Sequence, residues 1–165
     1  MLGLDAAGDM PGFSVEAFGA DDPRYAQARE LRYRVLYGPW DLPRHLAEDT
    51  DGRTYEHFLA ASEDGTVIGY ARLHLERGES KAYQVAVDEA WRGRGVGLAL
   101  MDRVHARARA EDRDFIELDA RETAIGFYER LGYEVVGNAF ISGRTGTPHR
   151  RMRRALGGAP GRSGG

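Results

Sequence analysis

Trp91-Arg92-Gly93-Arg94-Gly95-Val96-Gly97 is the stretch whose reading decides the fold. An apolar run, Tyr83–Val87, leads into it, and a helical pattern over Leu98–Ala110 follows. Strand, glycine-rich turn and helix in that order can hold a phosphate-bearing group. Glycines let the backbone turn tightly and approach a ligand, while the unpaired N–H groups of the helix start face an anion. Arg92 and Arg94 add positive charge inside the turn.

Downstream of the turn, Val96, Leu100, Val104 and Ala108 recur at four-residue spacing, which predicts one buried helix stripe. Asp102, Arg103, Arg107, Arg109 and Glu111 lie off that stripe and are expected in water. Phe115–Asp119 reads as a short strand. Asp119 and Glu122 resemble a capping box for a helix carrying Ala124, Phe127, Tyr128 and Leu131, which Gly132 ends. Tyr133–Ile141 and Thr147–Arg154 read as a last pair of strands around a turn at Ser142–Gly146.

Upstream, Phe13, Val15 and Ala17 alternate with polar residues as in a half-buried strand. Asp22-Pro23 reads as an N-cap and first position of a helix whose face is Ala28, Leu31 and Val35, ended by Gly38-Pro39. The polar connection Gly38–Arg53 holds Trp40, Arg44, His45 and Glu48. It either lines a binding site or is a surface loop whose Trp40 caps the core. Tyr55–Ser62 and Thr66–Glu76 form an antiparallel hairpin, and Ser80–Asp88 delivers the chain into the glycine turn. The order β α ββ β α β α ββ describes an α/β protein on a mixed sheet. The expected organisation is a flexible segment over 1–12, one domain over 13–154 and a disordered tail over 155–165.

The 165 residues suffice for a real core, and 42% apolar with 30% charged residues is ordinary for a soluble globular protein. A net charge of −3 argues against a general nucleic-acid or membrane binder. With no cysteine, disulfides, thiolate metal sites and a cysteine nucleophile are excluded. The five histidines, at 45, 57, 74, 105 and 149, show no ligand spacing, so no metal is expected. No signal peptide is apparent, and no apolar run approaches the roughly 18–20 residues of a membrane span, so the expected location is cytoplasmic.

Three chemistries compete for the turn. A nucleotide P-loop needs Lys followed by Ser or Thr after its last glycine, and Leu98-Ala99 stands there instead. A dinucleotide-binding turn of a nicotinamide-dependent oxidoreductase is a second reading, with Glu117 or Asp119 as the ribose acid. Against it, the third glycine comes one place early, and too little chain remains for a doubly wound sheet.

The third reading is a resemblance. Arg92-x-x-Gly95-x-Gly97 resembles the acyl-CoA pyrophosphate loop, Q/R-x-x-G-x-G/A, of the GNAT superfamily of N-acetyltransferases. Tyr83-Gln84-Val85-Ala86-Val87 matches the strand that enters it. Ala124-Ile125-Gly126-Phe127-Tyr128-Glu129-Arg130-Leu131-Gly132-Tyr133 is similar to the family's A-x-x-F-Y-x-x-L-G-F helix end. Within the superfamily, Leu31–Pro43 and Gly146-Thr147-Pro148-His149-x-x-Met152 look like the ElaA-like group.

The resemblance implies a mixed, mostly antiparallel twisted sheet of about seven strands flanked by helices. It implies an N-acetyltransferase moving an acetyl group from acetyl-CoA to a primary amine by direct attack in a ternary complex. A non-catalytic acyl-CoA sensor on the same fold is the alternative. Backbone N–H groups of Arg92, Gly93, Arg94, Gly95, Val96 and Gly97 would hold the pyrophosphate, and Val85, Ala86 and Val87 would offer main-chain groups to the acyl-pantetheine arm. Tyr128 would protonate the leaving thiolate. The general base is open among Glu76, Glu117, Asp119 and His74, because Lys81 stands where some relatives carry a catalytic Glu. A common Asn near the start of the last helix is also absent, with Asp119, Arg121 and Thr123 nearby instead. Tyr37, Trp40, His45 and His149 are candidates for the acceptor site. Arg150, Arg151, Arg153 and Arg154 read as terminal solvated charge. An exposed C-terminal strand would offer a surface for a homodimer.

Overall fold

A computed structural model describes residues 12–48, 52–76 and 78–157. Of the expected lead-in and tail, residues 1–11 and 158–165 lie outside the described residues. The elements are β1 (Phe13–Phe18), α1 (Tyr25–Arg32), β2 (Glu56–Ser62), β3 (Val67–Glu76), β4 (Glu79–Val87), α2 (Val96–Ala110), β5 (Phe115–Arg121), α3 (Ile125–Arg130), β6 (Glu134–Val135), β7 (Phe140–Ile141) and β8 (Pro148–Ala155). Hydrogen-bonded neighbours run β1-β2-β3-β4-β5-β8-β6, with β7 also on β8. β1–β2, β2–β3, β5–β8, β6–β8 and β7–β8 pair antiparallel, whereas β4 and β5 meet in parallel at Lys81↔Glu117. The sheet has eight strands rather than about seven, because the run expected over Tyr133–Ile141 is two short strands. Gly137, at φ +82°, turns the chain between them.

The chain folds as two compact units, Met1–Leu73 with Gln84–Val104 and His74–Tyr83 with His105–Gly165. In the first, β2 and β3 form the expected hairpin. Ser62 N–H donates to Thr66 O, and Gly65 takes the left-handed position at φ +87°. The predicted stripe of α2 holds, with Val96, Leu100 and Val104 no more than 1% exposed. Gly69 on β3 permits that packing, since a Cβ there would meet Val96 and Leu100 side-chain atoms at 2.8 Å. Ala28, Leu31, Val35, Leu59, Ala61, Val67, Tyr70 and Ala86 form the adjoining core cluster.

Two helix expectations are corrected. Asp22 does not cap α1. Its Oδ1 accepts the N–H of Arg24 at 2.9 Å, so Asp22-Pro23 is the turn before a helix that begins at Tyr25. The end of α1 widens into a π-helical turn, Tyr33–Tyr37, followed by 3-10 turns at Gly38–Trp40 and Arg44–Ala47.

In the second unit, β5 alternates as its sequence does, burying Ile116, Leu118 and Ala120. Gly132, at φ +88°, stops α3 as expected, and Tyr133 N–H closes the end on Tyr128 O at 3.1 Å. The capping box does not form. Asp119 is a strand residue, and its carboxylate takes Lys81 Nζ at 2.8 Å and Arg151 Nε at 2.5 Å instead. β8 is no exposed edge, because β5 pairs with one side of it and β6 and β7 with the other. Its four arginines all have partners, although the Arg151 and Arg153 side chains also remain in contact with solvent: Arg150 donates to Gly137 O, Arg151 to Asp119, Arg153 to Glu117 and Arg154 to His105.

Candidate active site

The glycine turn is built from Asp88 onward. Asp88 Oδ1 accepts Ala90 N–H at 2.9 Å, nucleating the 3-10 turn Glu89–Trp91. Gly93 and Gly95 then take φ +76° and +86°, a region that costs an L side chain about 1–2 kcal/mol and glycine nothing. Space beside both is open, with nothing within 4 Å of a built Cβ, so the backbone is approachable there. The helix starts at Val96, and Gly97 lies in its first turn. Arg92 N–H, expected to face the ligand, is instead taken by Glu89 O at 3.4 Å, while Ala99 N–H donates to Gly95 O, which leaves the amides of residues 93–98 as the free N-terminal set among the described residues. Arg92 and Arg94 are exposed and make no ion pair among the described residues. The Arg94 guanidinium stands 4.8 Å from the Trp91 ring centre, and Trp91 in turn meets Phe13 edge-on. Free amides, open glycines and two cations without an internal counter-charge fit a diphosphate.

On β4, Ala86 is buried and Val85 and Val87 are half-buried. The residue before them was not legible in the sequence: Gln84 takes φ +50°, a left-handed backbone that bends the strand. Its amide is fixed on three partners. Arg32 Nη1 donates to Oε1 at 3.0 Å, and Nε2 donates to Tyr37 Oη at 3.0 Å and Leu46 O at 3.4 Å. Arg32, wholly buried, also lies 4.4 Å from the Tyr70 ring centre.

Tyr37 is therefore a buried anchor for the bend in β4. Trp40 is 45% exposed and so does not cap the core. His45 is exposed on the 3-10 turn Arg44–Ala47. These three belong to the first unit, with the glycine turn and Val85–Val87; Tyr128 and His149 belong to the second. His149 is the second residue of β8, with Nδ1 2.9 Å from Thr147 O and its ring stacked on Phe140.

Tyr128 is 8% exposed, held edge-on by Phe127 at 5.0 Å and by Tyr133 at 5.6 Å between ring centres. Its hydroxyl has no hydrogen-bond partner among the described residues. Burial pushes the phenol above its ordinary value, so it keeps its proton at neutral pH. Among the candidate bases, Glu117 is bonded to Arg153 at 2.6 Å. Burial alone would raise the Asp119 carboxyl, but hydrogen bonds and charge from Arg151 and Lys81 hold it below the usual range. Buried His74 faces Glu76 at 3.5 Å.

Residues 54–135 match the family model of the acetyltransferase (GNAT) domain. The chain is similar in structure to an acyl-CoA N-acyltransferase from Pseudomonas aeruginosa, with TM-score 0.71 and 24% identity over 87% of this chain and 99% of that one. Escherichia coli ElaA gives TM-score 0.70 and 24% identity, covering 86% and 99% of the two chains. An aminoglycoside 6'-N-acetyltransferase complexed with coenzyme A gives TM-score 0.71 and 17% identity, covering 88% and 98%. The glycine turn, the strand before it and the helix end at Tyr128–Tyr133 all lie within residues 54–135, which carry the acetyltransferase (GNAT) domain match, and the chain has the fold of these acyltransferases.

Proposed function

We propose that the protein is an acetyl-CoA-dependent N-acetyltransferase acting on a primary amine by direct attack in a ternary complex. The observation that carries this reading is the turn itself: left-handed Gly93 and Gly95, the open start of α2, and Arg92 and Arg94 without counter-charges among the described residues. Amides from Gly93 to Gly97 hold the diphosphate, with the positive end of the 15-residue helix behind them, while Arg92, whose N–H is taken by Glu89 O, contributes its side chain. Val85, Ala86 and Val87 offer main-chain groups past the bend at Gln84. When bound, the cosubstrate supplies an acyl group activated as a thioester. Tyr128 Oη would give its proton to the sulfur as the carbon–sulfur bond breaks and the amide bond to the amine nitrogen forms; the proton that the nitrogen loses would pass to water, from which the phenolate regains its own. Its burial suits that role, because a phenol kept protonated is ready to donate. Exposed Trp40 and His45 are the side chains offered to the acceptor. The names of the structural relatives, an acyl-CoA N-acyltransferase and an aminoglycoside N-acetyltransferase with coenzyme A, support this reading.

Thiol release from acetyl-CoA, measured with an aminoglycoside, a polyamine, a lysyl peptide and an alanyl N-terminal peptide, tests it. Amine-dependent release that Tyr128→Phe slows is expected. Saturable binding of acetyl-CoA with no release for any amine contradicts the enzyme reading and leaves a sensor.

A further inference from the structure

Behind Tyr128, the second unit carries a buried polar chain that the proposed chemistry does not use. Arg154 Nη1 on β8 lies 2.7 Å from His105 Nδ1 on α2, and His105 Nε2 lies 2.7 Å from Tyr133 Oη at the end of α3. His105 is 1% exposed and Tyr133 2%. A guanidinium can only donate, so Nδ1 accepts and the ring proton sits on Nε2, which donates to the Tyr133 oxygen. Burial, with the charges of Arg154 and Arg109, lowers His105 to about 3, so the ring stays neutral. Three elements thereby fix the Tyr133 ring in place.

Tyr133 transmits that order to Tyr128 in two ways. Its ring abuts the Tyr128 ring edge-on, at 5.6 Å and 70°, and its N–H holds Tyr128 O at 3.1 Å. The Tyr133 hydroxyl is the atom that anchors this ring to His105. A phenylalanine there would pack equally well but could not be tied to His105.

We propose that Arg154, His105 and Tyr133 form a positioning relay for the proton donor Tyr128, with Tyr133 setting the orientation of its ring. The inference rests on the proposed role of Tyr128. An off-line phenol transfers its proton less readily while cosubstrate binding is untouched, so the loss belongs in kcat.

The test uses the full chain with acetyl-CoA and the best amine of the panel. Tyr133→Phe and His105→Leu are expected to lower kcat about tenfold with KM for acetyl-CoA within twofold of the parent. His105→Gln is expected to restore most of kcat, since its amide can accept from Arg154 and donate to Tyr133. The double variant Tyr128→Phe/Tyr133→Phe should be no slower than Tyr128→Phe alone, because a relay acting through Tyr128 has nothing left to act on. If Tyr133→Phe keeps full kcat, or its loss multiplies that of Tyr128→Phe, the relay is overturned and the role of Tyr128 stands. If Tyr128→Phe itself keeps full kcat, the proposed role of Tyr128 fails and takes the relay with it. Should His105→Leu not fold, Tyr133→Phe and His105→Gln decide the matter.

Discussion

Replacing Gln84 tests whether the bend in β4 is held from the side-chain end. Gln84→Ala removes a bond to the buried Arg32 guanidinium at 3.0 Å, one to Tyr37 Oη at 3.0 Å, and a longer one to Leu46 O at 3.4 Å. A hydrogen bond to a charged group contributes about 2 kcal/mol and a neutral one about 1, so the loss is about 3 kcal/mol. For a chain of this size that lowers Tm by about 6–12 °C. Gln84→Gly loses the same bonds but relieves the left-handed strain at φ +50°, so it should be more stable than the alanine variant by up to about 1 kcal/mol. Urea unfolding followed by tryptophan fluorescence gives both numbers, with m-values checked for change. An alanine variant within about 0.5 kcal/mol of the parent, or a glycine variant less stable than it, would refute the reasoning.

Three further outcomes follow from the same geometry. Tyr128→Phe should lower kcat about a hundredfold or more while calorimetric acetyl-CoA affinity holds within twofold, and unchanged turnover would exclude the phenol as acid. His57 is lowered from 6.5 to about 4 by burial and by the charges of Arg32 and Arg72. The unfolded chain therefore takes up that proton first, and stability present above pH 6.5 is lost as pH falls toward 4. By pH 5 this contributes a loss of about 2 kcal/mol, so His57→Phe should shrink the drop in urea stability between pH 8 and pH 5 by about that amount; an equal drop in both proteins contradicts it. Asp119→Asn leaves Lys81 and Arg151 facing each other without a carboxylate and should cost about 2 kcal/mol in the same urea assay, whereas a neutral result would show the pair to be solvent-screened.

The parts of the fold that sequence makes legible are those set by period and by backbone chemistry. The stripe of α2, the alternation of β5, the Gly65 hairpin turn and the Gly132 stop all state themselves in residue spacing. Arg32 and Arg72 do not, because hydropathy places an arginine in water. Here Arg32 lies against the Tyr70 ring and Arg72 lies 3.8 Å from the Tyr55 ring centre, contacts between residues distant in the chain. Asp119 misled for a related reason. Asp-x-x-Glu is a local pattern, but the partners that claim the carboxylate come from β4 and β8. The arginines of β8 are likewise indistinguishable from solvated charge until the register sets Arg153 opposite Glu117 and Arg151 opposite Asp119. At the candidate site, the glycine turn and the Tyr128 helix end were readable as motifs. The bend at Gln84 was not, since a glutamine in an apolar run carries no signal for a left-handed backbone.

The most direct test of the central claim is calorimetric titration of the full chain with acetyl-CoA, beside Gly95→Trp and with NADH and NADPH as controls. The account predicts saturable, roughly one-to-one binding of acetyl-CoA, lost in Gly95→Trp and absent for both nicotinamide cofactors. Folded protein that ignores acetyl-CoA, or binds it equally well with tryptophan at position 95, would contradict it.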